Sequence, residues 1–461
     1  MRYDRTGTRR LCAGLLLLIL ALVFSGCVGI LNKPAETTGT TDDSALISLL
    51  SENAEIPAFH STVLSAMHRY YSLYYIGELG TDEELAEAIV GFYAEYRDLI
   101  DESDPGDVTD LLCEGYLAAA GDKYAYYMNP EAYAEYTSDM SGNYVGIGVQ
   151  VTNDAVERTV TVTAVFPDTP AFEAGVLAGD TIEAVGDTAA SAISFAELVN
   201  RIRGEEGTDV TVTFARNGET YSRTMTRRTV VQVTASATVR DGTPKIGVLR
   251  ITEFDNTTER QFKAALDGLL AEGVDGIVFD LRNNPGGYLS AVLSVLDYLV
   301  PDGTPLAGYL YFDGSLETDA ANSQNYDGSA VDHALSSDLP VAVICNAHTA
   351  SAGELFTCAL QDYGARGILN VSVVGTVTYG KGTMQTLLSL GSGCATTISF
   401  ARYNPPYSPN YEGIGVTPDV AVELSEEAQG KSVYVLTEEE DLQMQAAITS
   451  VTARIEAAAQ Q

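Results

Sequence analysis

Two short segments carry residue types that could do chemistry at their spacing: Asn346–Glu354 (NAHTASAGE) and Thr378–Gln385 (TYGKGTMQ). In the first, Ser351 stands where the apolar run Leu339–Cys345 gives way to a helix-like segment, Glu354–Leu360. Free backbone N–H groups and the helix dipole converge at a strand-to-helix turn, and such a site can stabilise an oxyanion. In the second, Lys381 lies between two glycines, with Gln385 four residues on. An apolar, glycine-flanked setting can strip water from an amine, and desolvation lowers its pKa until it can accept a proton. Together they suggest acyl transfer through a serine and a lysine. Each also has an ordinary explanation: serines at helix starts commonly act as N-caps, and lysines between glycines commonly sit in solvated turns.

The elements that must position these residues read as an α/β core. Strand-like runs Lys245–Phe254, Gly276–Leu281 and Pro340–Cys345 alternate with helical runs Arg260–Ala271, Leu289–Leu299 and Ser351–Tyr363, as βαβ units do. The polar stretch Phe312–Asp338 reads as a surface loop, and Glu438–Gln461 as an amphipathic helix capping the domain. Upstream, from Ala45 to about Tyr136, apolar residues recur at three- and four-residue spacing, which predicts helices. Between these regions lies a β-rich segment, about Asn143–Arg228, with strands Thr159–Val165, Asp209–Ala215 and Thr220–Thr226. A capping box, Ser194 to Glu197, starts a helix through Ile202. With Gly146-Ile147-Gly148-Val149 and the run PAFEAGVLAGD at Pro170–Asp180, this segment resembles a PDZ domain. Glycines let successive N–H groups point at one anion, and the adjacent strand edge can pair with an extended peptide.

Composition narrows the partners. The 461 residues exceed the usual single-domain size, and a formal charge of −37 argues against nucleic acid, which requires Lys/Arg patches. At the N-terminus, Arg2, Arg5, Arg9 and Arg10 precede an apolar stretch, Leu11–Phe24, ending in Ser25-Gly26-Cys27. This reads as a secretory signal, too short for a comfortable membrane span, and its end resembles a bacterial lipobox with Cys27 as the lipidated residue. Gly29–Asp43 reads as a tether. Cys113, Cys345, Cys358 and Cys394 remain, with no metal-binding spacing; their disulfide state is not deducible from spacing.

Three further segments complete a set: Asp280–Gly287 (DLRNNPGG), Thr397–Tyr403 (TISFARY) and Gly413–Asp419 (GIGVTPD). In this order after a PDZ-like segment, they resemble the C-terminal processing peptidases, or tail-specific proteases, of the Ser–Lys type, from about Asp110 to Leu424. The resemblance implies Ser351 as nucleophile, Lys381 as general base and Gln385 as the residue orienting the lysine. It implies an oxyanion hole from the Ala352 N–H and one N–H of the Gly286-Gly287 turn, with the choice of glycine open. It places Gly146, Ile147, Gly148 and Val149 in the peptide-carboxylate loop. Arg203 matches an arginine that in such proteases can couple PDZ position to the active site; the alternative is an exposed helix-end cation. The sequence departs from the family where His348 replaces Gly and Gly353 replaces Ser. The interval from Ser351 to Lys381 is also long, with Ile368–Val374 as the expected loop insertion.

The expected organisation is multidomain: an α/β protease core with an inserted PDZ-like β domain and an N-terminal helical region. Its expected bounds are 1–27 for the lipoprotein signal, 28–43 for the tether and 44–140 for the helical region. The PDZ domain would occupy 142–228, the core 229–424 and a C-terminal helical region 425–461. The implied activity is that of an exported, lipid-anchored serine endopeptidase acting on protein C-termini, without cofactor or metal. It would sit on the outer side of a cell membrane, with homo-oligomerisation open. Two alternatives stand beside it: a non-catalytic peptide-binding lipoprotein, and a Ser–His protease using His348.

Overall fold

The computed structural model describes residues 44–139, 143–154, 159–322, 335–429 and 431–458. Cys27, the signal and the tether lie outside these residues. No helix among the described residues is long and apolar enough to cross a membrane.

The N-terminal region packs helices α1 (Ser44–Glu52), α2 (Ser61–Tyr74), α3 (Asp82–Tyr96) and α4 (Pro105–Ala120) around Leu64, Tyr71, Ile89, Leu112 and Tyr116. Thr81 and Glu84 form a capping box at the start of α3. Gly121, in the left-handed conformation, ends α4. The region is not helical throughout. Strand β1 (Tyr127–Met128) precedes α5 (Pro130–Asp139) and pairs with the protease core.

The PDZ-like domain is inserted through a two-stranded ribbon, in which β2 (Asn143–Gly146) runs antiparallel to β9 (Arg228–Val231). Between them lie β3 (Val149–Asp154), β4 (Thr159–Val165), α6 (Pro170–Glu173), β5 (Thr181–Val185), β6 (Thr188–Ala189), α7 (Phe195–Ile202), β7 (Asp209–Arg216) and β8 (Glu219–Thr226). The sheet order β3-β4-β5-β7-β8 leaves β3 at an edge. Its small core includes Ile147, Val162, Leu198, Val212 and Phe214.

The protease core holds two sheets. One runs β10 (Ala235–Arg240), β11 (Ile246–Ile251), β12 (Gly276–Asp280), β15 (Pro340–Cys345), β16 (Asn370–Gly375) and β19 (Val420–Ala421), parallel from β11 onward. Its central strands are buried on both faces, so they read as continuous apolar runs. Ile277, Phe279, Val341 and Val343 face helices α8 (Thr258–Ala271), α9 (Leu289–Leu299) and α10 (Ala352–Ala365). Val278, Ala342, Ile344 and Val374 face Met444, Ala447 and Val451 of α12 (Leu442–Ala458), which follows the short α11 (Glu426–Gln429).

The other sheet is antiparallel: β18 (Cys394–Asn404) pairs with β17 (Thr383–Gly391), β1 and β13 (Pro305–Tyr311), and β14 (Leu316–Ala320) pairs with β13. Two expectations are corrected here. Ile368–Val374 is no loop insertion: it leads into and forms β16, buried between β15 and β19 and linked to β15 by the crossover helix α10. The thirty residues between serine and lysine are thus largely one helix and one strand. Within Phe312–Asp338, Leu316–Ala320 is an exposed edge strand, whose acidic Glu317 and Asp319 accept hydrogen bonds from the hydroxyls of Tyr311 and Tyr309 on β13.

Candidate active site

Ser351 sits at the N-cap of α10, fully buried, with φ 53° and ψ −120°. A non-glycine residue in this region stores about 1–3 kcal/mol of strain and persists only where its surroundings hold it. The main brace is Glu354. Its buried carboxylate accepts from Ser351 N–H at 2.9 Å, Lys381 N–H at 2.8 Å, Gly380 N–H at 2.6 Å and the Thr378 hydroxyl at 2.5 Å. One side chain therefore holds both the serine and the lysine backbone. Burial pushes the Glu354 carboxyl up, and these four donors oppose the shift without cancelling it.

Tyr403 on β18 links the pair a second time: its hydroxyl lies 3.2 Å from Ser351 Oγ and 2.7 Å from Lys381 O. Tyr411 donates to Ser351 O at 3.3 Å and stacks edge-on against Tyr403. Lys381, 4% exposed, precedes β17 in no regular element, so its segment's backbone is satisfied by groups remote in sequence, among them Gly413 N–H on Gly380 O and Tyr403 N–H on Gly382 O. Glu412 accepts from Gly382 N–H at 2.8 Å. Asn410 donates to Gly382 O at 2.8 Å, and Tyr124 donates to Gly380 O at 3.3 Å.

Gln385 departs from expectation. Its Nε2 donates to Thr383 O and Ser399 Oγ, both at 3.2 Å, while its Oε1 is buried without a partner. The oxygen that would accept from the lysine amine makes no such bond. β17 begins only at Thr383, and its register with β18 shifts between Met384 and Gln385, so the four-residue offset does not follow regular strand alternation.

The turn after β12 abuts the serine. A Cβ built on Gly286 would lie 2.7 Å from Ser351 Cβ and 2.8 Å from Ala352 N, so only glycine fits this approach. Asn284 ties the two turns together: Ala350 N–H donates to its carbonyl, and its own amide donates to Ile251 O. Gly286 N–H is taken by Asn284 Oδ1 at 2.8 Å, and Gly286 O accepts from Phe254 N–H. A peptide N–H points away from the carbonyl in its own plane, so Gly287 N–H faces away from Phe254. Below the turn, Arg282 is buried and forked between Asp280 and Asp441, the latter also capping α12 through Met444 N–H. Burial pushes the Asp280 carboxyl up, but the Arg282 and Arg250 guanidiniums beside it outweigh this and hold it well below the usual carboxylate range.

His348 is exposed on the turn before the fully buried Ser351, its own N–H bonded to Asn346 Oδ1. Gly353 packs against Asn284: a Cβ there would meet Asn284 O at 3.0 Å. All four described cysteines are free and buried. Among the described residues, no group of His, Cys, Asp and Glu could hold a metal ion.

In the PDZ-like domain, Ile147 O accepts from Ala171 N–H at 2.8 Å and Gly148 O from Phe166 N–H at 3.0 Å. Gly148 N–H and Val149 N–H are thereby turned away from these partners. Gly146 ends β2, opposite Arg228. Arg203, at the C-cap of α7, lies 5.3 Å above the Tyr144 ring of the entry ribbon. It is therefore placed where the inserted domain joins the core, not at a helix end in open solvent.

Sequence reasoning missed Glu354, Tyr403, Tyr124 and Glu412. For Glu354 a signal existed: Ser351-Ala-Gly-Glu354 has capping-box spacing. The other three carry no local signature, because their partners are remote in sequence.

Comparison with known proteins shows the family. The model of peptidase family S41 matches residues 245–422, and that of the PDZ domain residues 144–225. The chain is 31% identical over 319 residues to a carboxy-terminal-processing protease of Bartonella bacilliformis, spanning 68% of this chain and 69% of that one. It is 31% identical over 342 residues to a carboxyl-terminal-processing protease of a Picosynechococcus species, spanning 73% and 77%. A solved structure titled photosystem II D1 C-terminal processing protease aligns with TM-score 0.48 at 26% identity, covering 78% of this chain and 92% of that one.

Proposed function

The chain belongs to peptidase family S41 and is a serine-type peptidase, and on that premise we propose that it is a lipid-anchored endopeptidase with a Ser–Lys mechanism, recognising substrates by their C-terminal tails. The observation that carries the reading is Glu354, which binds the N–H groups of Ser351 and Lys381 within one buried site. In the proposed mechanism, neutral Lys381 takes the Ser351 hydroxyl proton as Oγ attacks the scissile carbonyl. The oxyanion accepts from Ala352 N–H and Gly287 N–H; the Gly286 N–H is already engaged by Asn284. Collapse breaks the C–N bond, the ammonium returns its proton to the leaving amine, and water then releases the acyl group. Gln385 lines the site beside Ser399, and its unpartnered oxygen is open to the ammonium once it forms.

Substrate tails would add to the β3 edge, with the terminal carboxylate at Gly146–Val149, and Arg203 would relay the position of the domain through Tyr144. Cys27 would carry the lipid, outside the cytoplasm.

The test compares three variants on a quenched-fluorescence peptide with a free apolar C-terminus. Ser351→Ala and Lys381→Ala should be equally inactive, since the two act as one unit, while exposed His348→Ala keeps substantial activity. An active Lys381→Ala with a dead His348→Ala sinks the Ser–Lys reading. Amidating the peptide's terminus should weaken binding by roughly 1.5–3 kcal/mol; equal affinity removes tail recognition. Cys27→Ser should free the protein from membranes or leave it unprocessed, and absence of lipid on wild-type Cys27 by mass spectrometry ends that part of the proposal.

A further inference from the structure

The loop that follows α4 in the N-terminal region reaches the proposed base. The Tyr124 ring lies 5.0 Å from Lys381 Nζ. Its hydroxyl donates to Glu412 Oε1 at 2.8 Å, and Glu412 in turn holds Gly382 N–H and the Thr383 hydroxyl. Tyr124 is 5% exposed, so its ring is locked by neighbours and not free to swing. Burial and the Glu412 bond push its phenol well up, which keeps it a donor. The two preceding residues are also committed. Lys123 pairs with Glu412 at 2.8 Å, and the Asp122 carboxylate accepts from Ser399 N–H and Oγ. Ser399 Oγ is the group that accepts from Gln385. Three consecutive residues of the N-terminal region thus reach the lysine, its loop and its neighbouring amide.

We propose that Tyr124 is a positioning residue for the base, its ring face stabilising the ammonium that Lys381 becomes on accepting the Ser351 proton, so that the N-terminal helical region is an integral wall of the active site. This rests on Lys381 being the base. The physical ground is the quadrupole of the ring, which attracts a cation over its face and does so more strongly when water is excluded. Charge appears at Nζ only as the Oγ–carbon bond forms and the hydroxyl proton moves. The contact is therefore stronger in the transition state than before it, the condition for accelerating the step. The charged groups around the lysine segment are Glu354 from α10, Glu412 from the loop after β18, and Lys123 beside Tyr124. All three keep their charge in the substitutions that follow. Each variant removes the hydroxyl bond to Glu412, and Tyr124→Leu also removes the ring 4.6 Å from Lys123 Nζ, so the ring face is isolated by comparing the trifluoro variant with Tyr124→Phe.

The experiment measures kcat and KM against pH for the full chain on the same quenched-fluorescence peptide, with Tyr124→Leu, Tyr124→Phe and trifluorophenylalanine at position 124. Losing the ring should lower kcat about tenfold in Tyr124→Leu with KM little changed. It should also move the acid limb of kcat down by about one pH unit, because the ammonium loses its stabilisation. Tyr124→Phe should keep the limb in place. The trifluoro ring, of nearly the same shape but without the negative face, should shift it as leucine does, which decides the matter even if Tyr124→Leu fails to fold. A trifluoro variant with the limb of the Phe variant overturns the proposal, as does a shifted limb in Tyr124→Phe. Activity in Lys381→Ala would instead fail the underlying base assignment. An inactive Lys381→Ala with unshifted ring variants would fail the role of Tyr124 alone.

Discussion

Two glycine-flanked segments of this chain, Gly146–Val149 in the inserted domain and Gly380–Gly382 in the core, are held in opposite ways. The first is fixed by near neighbours in sequence: Ala171 and Phe166 bond its carbonyls, and Thr169 fills the space beside Gly148. The second is fixed from across the chain, by Tyr124, Glu354, Tyr403, Asn410 and Glu412. A binding loop that works through its own backbone can be built by one small domain. A loop that must hold a single amine in a dry site needs its backbone satisfied by partners remote in sequence, side chains and backbone N–H groups alike, and those come from wherever the fold brings them.

Four substitutions test that contrast. The largest effect is expected for Glu354→Ala, which strands the N–H groups of Ser351, Gly380 and Lys381 in a buried site. At about 1–3 kcal/mol for each orphaned donor, kcat/KM should fall at least a thousandfold and thermal stability should drop clearly. A variant near wild-type activity would mean the lysine segment is held by other means. Next, Tyr403→Phe removes the hydroxyl shared by Ser351 Oγ and Lys381 O, leaving that carbonyl without this donor. A ten- to hundredfold loss in kcat is expected, with tail-peptide affinity unchanged in calorimetry. If affinity falls instead, the two segments are not independent.

The converse is Gly148→Ala, where φ is +82° and a Cβ would lie 2.3 Å from Thr169. Strain of about 1–3 kcal/mol should weaken binding of a free-carboxylate peptide about tenfold or more. Hydrolysis of a small activated ester, which needs no tail, should continue at the wild-type rate. A matching loss on the ester would show that the loop supports the catalytic core directly.

The smallest effect concerns the joint between the regions. Glu253 contacts Gln232, where the chain returns from the inserted domain, and burial, with Asp255 nearby, pushes its carboxyl up to about 7. It is then protonated when folded but ionised when unfolded between its ordinary value of about 4.5 and 7, so stability contributed here falls as pH rises through that window. Glu253→Gln, which does not titrate, should gain on the wild type by a few degrees in melting temperature between pH 5 and pH 8. A constant difference would show that this carboxyl does not titrate across that range.

The same contrast explains what could be read from the sequence. The parallel strands and the PDZ-like segment were legible because apolar periodicity and glycine placement are local signals. Ser351 and Lys381 stood out for the same reason. The environment of the lysine was not legible, since Tyr124 and Glu412 meet across 288 residues and nothing beside either announces the other. Ile368–Val374 was misread as added loop because a short apolar run between helix and loop has no partner visible in sequence; in the fold it is an inner strand. That Gln385 bonds Thr383 and Ser399 was not legible, because a register shift is invisible to spacing.

The long-range assembly of the lysine loop also bears on the birth of the protein. Translation proceeds from the N-terminus, so Tyr124 leaves the ribosome 288 residues before Glu412. A chain stalled after Lys381 contains the serine, the lysine, Tyr124 and Glu354, yet lacks Tyr403, Asn410 and Glu412, so the loop between the two glycines has only part of its struts. The loop is therefore completed only with the last part of the core to be synthesised.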